Sequence, residues 1–121
     1  MRTDKMVIAA FGTASTTKST IASWSHKSTE LDFLSVDYYT RLARTVEAAG
    51  FDLLFFDDRL ALPGVFGNSP AAAVEKGHRV IKLDLMTVLG VAAAVTSRVG
   101  LGGTYSTTYH SPYHIARALG V

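Results

Sequence analysis

The sequence predicts an α/β fold built from three successive βα units around a parallel sheet. Three observations carry this. Short apolar runs at residues 6–11, 51–56 and 99–104 each stop at glycine, aspartate or threonine. Between them lie segments with helical signals, an amphipathic one at 37–49 and a strongly apolar one from 84. The separations are too long for hairpins and suit crossover helices, which parallel strands require.

The first run, M-V-I-A-A-F, is continuous rather than alternating and ends at Gly12. Such a run fits a strand covered on both faces. Residues 13–30 follow, rich in Ser, Thr and Lys, with Trp24 and His26 set among them; without a helical period they read as a long loop. Loops of that length in compact domains are uncommon unless they are functional or disordered.

Ser35 or Asp37 can cap the next element. Tyr39, Leu42, Val46 and Ala49 recur at three- and four-residue spacing as one apolar stripe, while Arg41, Arg44 and Glu47 fall off it. Gly50 ends that helix, and F-D-L-L-F-F follows at once as the second strand, stopping at Asp57-Asp58-Arg59. Residues 61–82 are loop-like, punctuated by Pro63-Gly64, Gly67-Asn68 and Ser69-Pro70. Asp84 caps a helix so apolar all round that burial is expected. Gly102 and Gly103 thin the end of the third strand before Thr104, and Ser111-Pro112 reads as N-cap and first helical position. Three parallel strands leave two open edges, and the last helix stops at Val121 after barely two turns. The 121 residues therefore read as one partial domain, the first part of something longer.

Composition narrows the function. With 48% apolar and 18% charged residues the chain is globular rather than disordered. A net charge of +2, with no basic run interleaved with aromatics, gives no argument for nucleic acid. The absence of cysteine excludes disulfide scaffolds and thiolate chemistry. The run at 6–11 is too short for a signal peptide's core, and no segment approaches the ~20 apolar residues of a membrane span. A cytoplasmic protein is the expectation.

Several motifs approach known chemistry. G-T-A-S-T-T-K-S at 12–19 approaches a phosphate-binding loop, but Thr17 holds the place where glycine must precede the lysine, and no helical stripe follows. A Ser/Thr-rich loop is the better reading. Asp57 and Asp58 close the second strand at its carboxyl end, where α/β folds place ligands. They either accept hydrogen bonds from a bound heterocycle or backbone amides, or stand as solvated or capping carboxylates. As an acid/base pair they are poor, since adjacent strand residues point to opposite faces. His110 and His114 are four apart, but His110 precedes the cap, so they are not expected to stack on one helix face; no metal site is expected. No glycine-flanked serine elbow is present.

The segments A-S-W-S-H at 22–26, L-A-R-T-V-E-A-A-G-F-D-L-L-F-F-D-D at 42–58, L-D-L-M-T-V-L-G-V-A-A-A-V-T-S-R-V-G-L at 83–101 and T-Y-S-T-T-Y-H-S-P-Y-H-I-A-R at 104–117 resemble the amino-terminal part of the bacterial-luciferase-like flavin monooxygenases. The similarity is closest to the branch containing nitrilotriacetate, alkane and dibenzothiophene-sulfone monooxygenases. It runs through nearly the whole chain in the family's order.

The resemblance implies a (β/α)8 TIM barrel that binds FMN at its carboxyl-end mouth, with the present chain supplying the first three units. It implies reduced FMN delivered by a separate NAD(P)H-dependent flavin reductase, O2 as co-substrate, and oxygenation of a small organic substrate. It also implies a homo-oligomer at full length. Asp58 and Thr104 carry over as cofactor-binding positions. Tyr109 and His26 match positions facing the same mouth, with no step assigned to them. The family's Pro-Thr-Gly-His-His-like stretch is absent, with Lys18, Ser19 and Thr20 standing about there. Alone, three units are expected to be inactive and to expose apolar edges. The alternative is a truncated, non-catalytic relative serving as a structural or partner-binding subunit.

Overall fold

A computed structural model describes residues 5–15, 25–78 and 80–120. The first-loop positions Lys18, Ser19, Thr20 and Trp24, with most of the phosphate-loop-like stretch, lie outside the described residues. Three strands, β1 (Ala9–Thr13), β2 (Leu53–Asp57) and β3 (Gly100–Gly103), form one parallel sheet in the order β1-β2-β3. The helices are α1 (Val36–Ala48), α2 (Ala71–Glu75), α3 (Leu85–Ala93) and α4 (Pro112–Leu119). A 3-10 turn at Phe66–Asn68 and the short α2 occupy the stretch expected to be loop throughout. No helix among the described residues is long and apolar enough to cross a membrane.

The expected caps form. Ser35 Oγ accepts from Asp37 N at 3.1 Å and Asp84 Oδ1 from Met86 N at 2.8 Å. Ser111 Oγ accepts from His114 N at 3.3 Å, with Pro112 at the first helical position. Each cap satisfies an amide that the helix itself leaves without a partner. Gly50 takes φ 79°, the left-handed turn that lets β2 follow α1 directly.

The strands start later than the apolar runs. Met6, Val7 and Ile8 are exposed, and the ladder opens only where Ile8 N donates to Asp52 Oδ2 at 2.9 Å and Asp52 N to Ile8 O at 2.9 Å. At the other end, Gly12 continues β1 because it has no Cβ; a methyl there would lie 2.8 Å from the Phe56 ring. Glycine thus lies inside the strand that it was expected to terminate.

The core lies on one face of the sheet. Leu54 and Phe56 of β2, each 1% exposed, pack against Tyr39, Ala43 and Val46 of α1 and Leu85, Val88 and Ala92 of α3. Gly103 permits that approach, since a Cβ there would sit 2.9 Å from Leu85 Cδ1. Strand alternation sends Phe11, Leu53, Phe55 and Asp57 to the opposite face. There Phe11 stacks on Phe55 at 6.0 Å between ring centroids and remains 67% exposed. Two expectations are corrected here. β1 is covered on one face among the described residues, not two. α3 buries one stripe rather than its whole circumference, leaving Thr87, Gly90 and Ala93 exposed.

Candidate functional site

The carboxyl ends of β2 and β3 finish side by side. Phe56 and Gly103 are register partners, and Thr104 N donates to Phe56 O at 3.1 Å, which carries the pairing one residue past the strand. The side chain then extends the link. Thr104 Oγ1 accepts from Asp58 N at 2.6 Å and lies 3.3 Å from Asp58 O, to which its hydroxyl donates. One hydroxyl therefore clamps both polar groups of the Asp58 backbone, where the sheet ladder has run out.

A third segment reaches the same place. Ser15, just past β1, forms an antiparallel bridge with Lys82, and Leu83 N donates to Ala14 O at 3.0 Å. That pairing sets Lys82 Nζ 3.7 Å from Asp58 Oδ1, with the side chains only 12% and 20% exposed. The Lys82 ammonium makes no hydrogen bond. Its attraction to the carboxylate acts in a partly water-excluded setting, where charges interact more strongly than at an open surface. Lys82 had no signal in the sequence beyond being a cation in an otherwise apolar stretch. Its role depends on a chain pairing that local pattern does not encode.

Around these groups opens a cleft of about 560 Å³. Asp58, Thr104, Ser106 and the aromatic Tyr105 and Tyr109 line one side, and residues 59–65 form the other, with Leu60, Leu62 and Val65 giving it an apolar wall. The volume and the mixture of apolar walls with a few convergent polar groups are those of a small-molecule site. Asp58, Thr104 and Tyr109 thus meet at one cleft. His26 does not line it; it is exposed in a turn, its Nδ1 2.7 Å from Ser28 Oγ. Asp57 follows the alternation to the other side, and its Oδ1 is buried without a hydrogen-bond partner.

The corner between β3 and α4 departs from expectation. Helix α4 begins at Pro112, as expected, yet the His110 and His114 rings stack at 5.3 Å and 15°. The turn brings this about: His110 N donates to Ser106 O at 3.2 Å, and the His110, His114 and Tyr105 rings cluster, with Tyr105 4.5 Å from His110 and 6.5 Å from His114 between centroids. Among the described residues no three His, Asp or Glu side chains gather as a metal set.

At the opposite, amino-terminal end of the strands, Glu47 Oε2 accepts from the amides of Ser97, Arg98 and Val99 at 2.9, 2.7 and 3.0 Å. Those three bonds, led by Arg98 and Val99, hold the Glu47 carboxyl down to about 2. From sequence Glu47 was only a residue off the apolar stripe.

Comparison with known proteins agrees with this architecture. Residues 9–121 match the family described as "Luciferase-like monooxygenase". Dibenzothiophene-sulfone monooxygenase of Rhodococcus erythropolis is 40% identical over 93% of this chain and 25% of its own length. Nitrilotriacetate monooxygenase component A of Aminobacter aminovorans is 31% identical over 68% of this chain and 19% of its own. A crystal structure of riboflavin lyase with modified FMN and substrate riboflavin superposes with a TM-score of 0.84 at 30% identity, covering 95% of this chain and 26% of that one. The chain spans about a quarter of the length of the first of these relatives. With its three parallel βα units and its matches to named monooxygenases, it belongs to the luciferase-like monooxygenase family and has the α/β fold of that family's TIM barrels.

Proposed function

We infer that this chain forms part of a (β/α)8 domain that binds FMN at the Asp58–Thr104 cleft and oxygenates a small organic substrate. The clamp of Thr104 Oγ1 on Asp58 N, at 2.6 Å beside a 560 Å³ cleft, is the observation that carries the reading.

The residues present fit a flat heterocycle. The cleft offers a carboxylate as acceptor, the Ser106 hydroxyl as donor or acceptor, two tyrosine rings and an aliphatic wall. A tricyclic ring with polar edges and apolar faces needs that combination. Reduced FMN, when bound, supplies the electrons that activate O2 for transfer of one oxygen atom to the substrate. The chain's own residues bind and orient. Asp58 would hold the polar edge of the ring as a hydrogen-bond acceptor. Thr104 is a positioning residue, because both of its hydrogen bonds go to the Asp58 backbone and so fix the direction of the carboxylate. Lys82 keeps that carboxylate compensated. Leu60, Leu62 and Val65, exposed along the cleft wall, would cover an apolar face of the bound ring.

A separate NAD(P)H-dependent reductase supplies the reduced flavin in this reading, supported by a relative that is itself named as one component of a system. The reading takes the protein to work in the cytoplasm, alongside that reductase. The full-length protein is read as a homo-oligomer.

A fluorescence titration tests the proposal. FMN emission is expected to be quenched by micromolar protein, with affinity reduced about tenfold, or about 1.4 kcal/mol, by Asp58→Ala or Thr104→Ala. Absence of quenching, or variants that bind as well as the parent, would contradict it and favour a structural or partner-binding subunit.

A further inference from the structure

Lys82 stands beside the cofactor cleft in a position that costs free energy to maintain. Its side chain is 12% exposed and its Nζ is closed off from water, yet among the described residues the ammonium makes no hydrogen bond. An ammonium has three donors, and leaving them unused in a water-poor setting is unfavourable. We propose that Lys82 is a specificity-determining residue for the redox state of the flavin: its charge makes the site prefer the reduced, anionic ring over the oxidised, neutral one. The inference rests on the flavin-dependent reading and adds a residue and a preference to it.

The chain holds the charge there from both sides. Lys82 pairs with Ser15 in an antiparallel bridge, and Leu83 N donates to Ala14 O at 3.0 Å. Two residues on, Asp84 caps α3 through Met86 N at 2.8 Å, so the backbone around Lys82 is tied to β1 on one side and to α3 on the other. Asp58 Oδ1 lies 3.7 Å from the ammonium, beyond the range of a hydrogen bond. Lys82 is therefore kept near Asp58 by the fold rather than by a bond to it.

Asp58 alone would work against reduction. A flavin that gains two electrons and one proton passes from a neutral ring to an anion, and protein charge near the ring sets which form is held more tightly. A lone carboxylate at the ring's edge repels the anion. With Lys82 beside it the pair is close to neutral as a unit, so Asp58 can act as a hydrogen-bond acceptor without that penalty. Other charged groups at this end of the strands do not substitute. Arg59 lines the cleft but is exposed, so water and salt screen it. Asp57 is turned to the opposite sheet face. The Lys82 charge, largely withdrawn from solvent, is screened far less.

The test compares the two forms of the cofactor. Dissociation constants are measured for oxidised FMN by fluorescence quenching and for dithionite-reduced FMN by anaerobic ultrafiltration. The parent is expected to bind the reduced form more tightly. Lys82→Met should cut that preference about tenfold, which corresponds to a fall of about 30 mV in the two-electron potential of bound FMN. Lys82→Gln should do the same, and Lys82→Arg should keep the preference. The inference is overturned if Lys82→Met and Lys82→Gln weaken both forms equally, as loss of packing alone would, or if Lys82→Arg loses the preference as fully as they do. A parent that binds neither form contradicts the flavin reading itself, whereas a parent that binds both forms equally contradicts this inference alone.

Discussion

At the scale of single residues, the site depends on one hydroxyl. Thr104 Oγ1 engages both the amide and the carbonyl of Asp58, so Thr104→Val removes two backbone bonds while keeping the side chain's shape. Unfolding in urea should show a loss of about 2 kcal/mol, about 1 for each bond. Thr104→Ser should restore it. Glu47 makes the opposite kind of contribution, remote from the cleft. Its folded carboxyl is held down to about 2 against an ordinary value of 4.5. The stabilisation is therefore complete above 4.5 and is lost as pH falls toward 2. Melting curves across that interval should show Glu47→Gln with a lower Tm than the parent at neutral pH. The two should converge as the parent's carboxyl protonates. A constant gap across that pH range would argue against the amide nest as the cause. FMN affinity at neutral pH should be the same in both proteins, because Glu47 lies at the far end of the strands.

At the scale of elements, caps and glycines explain most of what forms. Asp84 caps α3 through Met86 N, and Asp84→Ala should cost about 1 kcal/mol by chemical denaturation, with Asp84→Asn nearly neutral. Gly12 is tighter still. A methyl 2.8 Å from the Phe56 ring must push a fully buried aromatic, so Gly12→Ala should destabilise by about 1–3 kcal/mol. These elements were legible in the sequence to different degrees. Ser35, Asp84 and Ser111 announce helix starts because capping is a local reaction between a side chain and amides two or three residues on. Strand limits were less legible, because the pairing partner decides where a ladder begins: Ile8 is at least as apolar as Ala9 and Ala10, yet at the ladder's mouth its amide goes to the Asp52 side chain rather than to a backbone carbonyl. α2 escaped notice because its five residues lie between Pro70 and Gly77, too few for a period to show.

At the scale of the whole molecule, a single-sided core holds three strands and two packed helices together. Phe56 and Leu54 anchor it, and truncating Phe56 to alanine should cost about 3–5 kcal/mol, a large share of a typical domain's stability of about 5–15 kcal/mol. Among the described residues the opposite sheet face leaves Phe11 exposed and Phe55 half-buried beneath it, so the expectation of two covered faces had the right residue types but only one packed layer. For the site, Asp58 and Thr104 were legible because strand ends are where α/β folds gather ligands. Lys82 and the nest at Glu47 were not, since both arise from contacts between segments distant in the chain. The central claim is that the joined tips of β2 and β3 face the flavin. The most direct measurement is the set of intermolecular nuclear Overhauser effects from the ring and ribityl protons of bound FMN. Contacts to Thr104, Tyr109 or the 59–65 segment are expected, whereas contacts confined to the Glu47 end of the sheet, or to its Phe11–Phe55 face, would contradict the account.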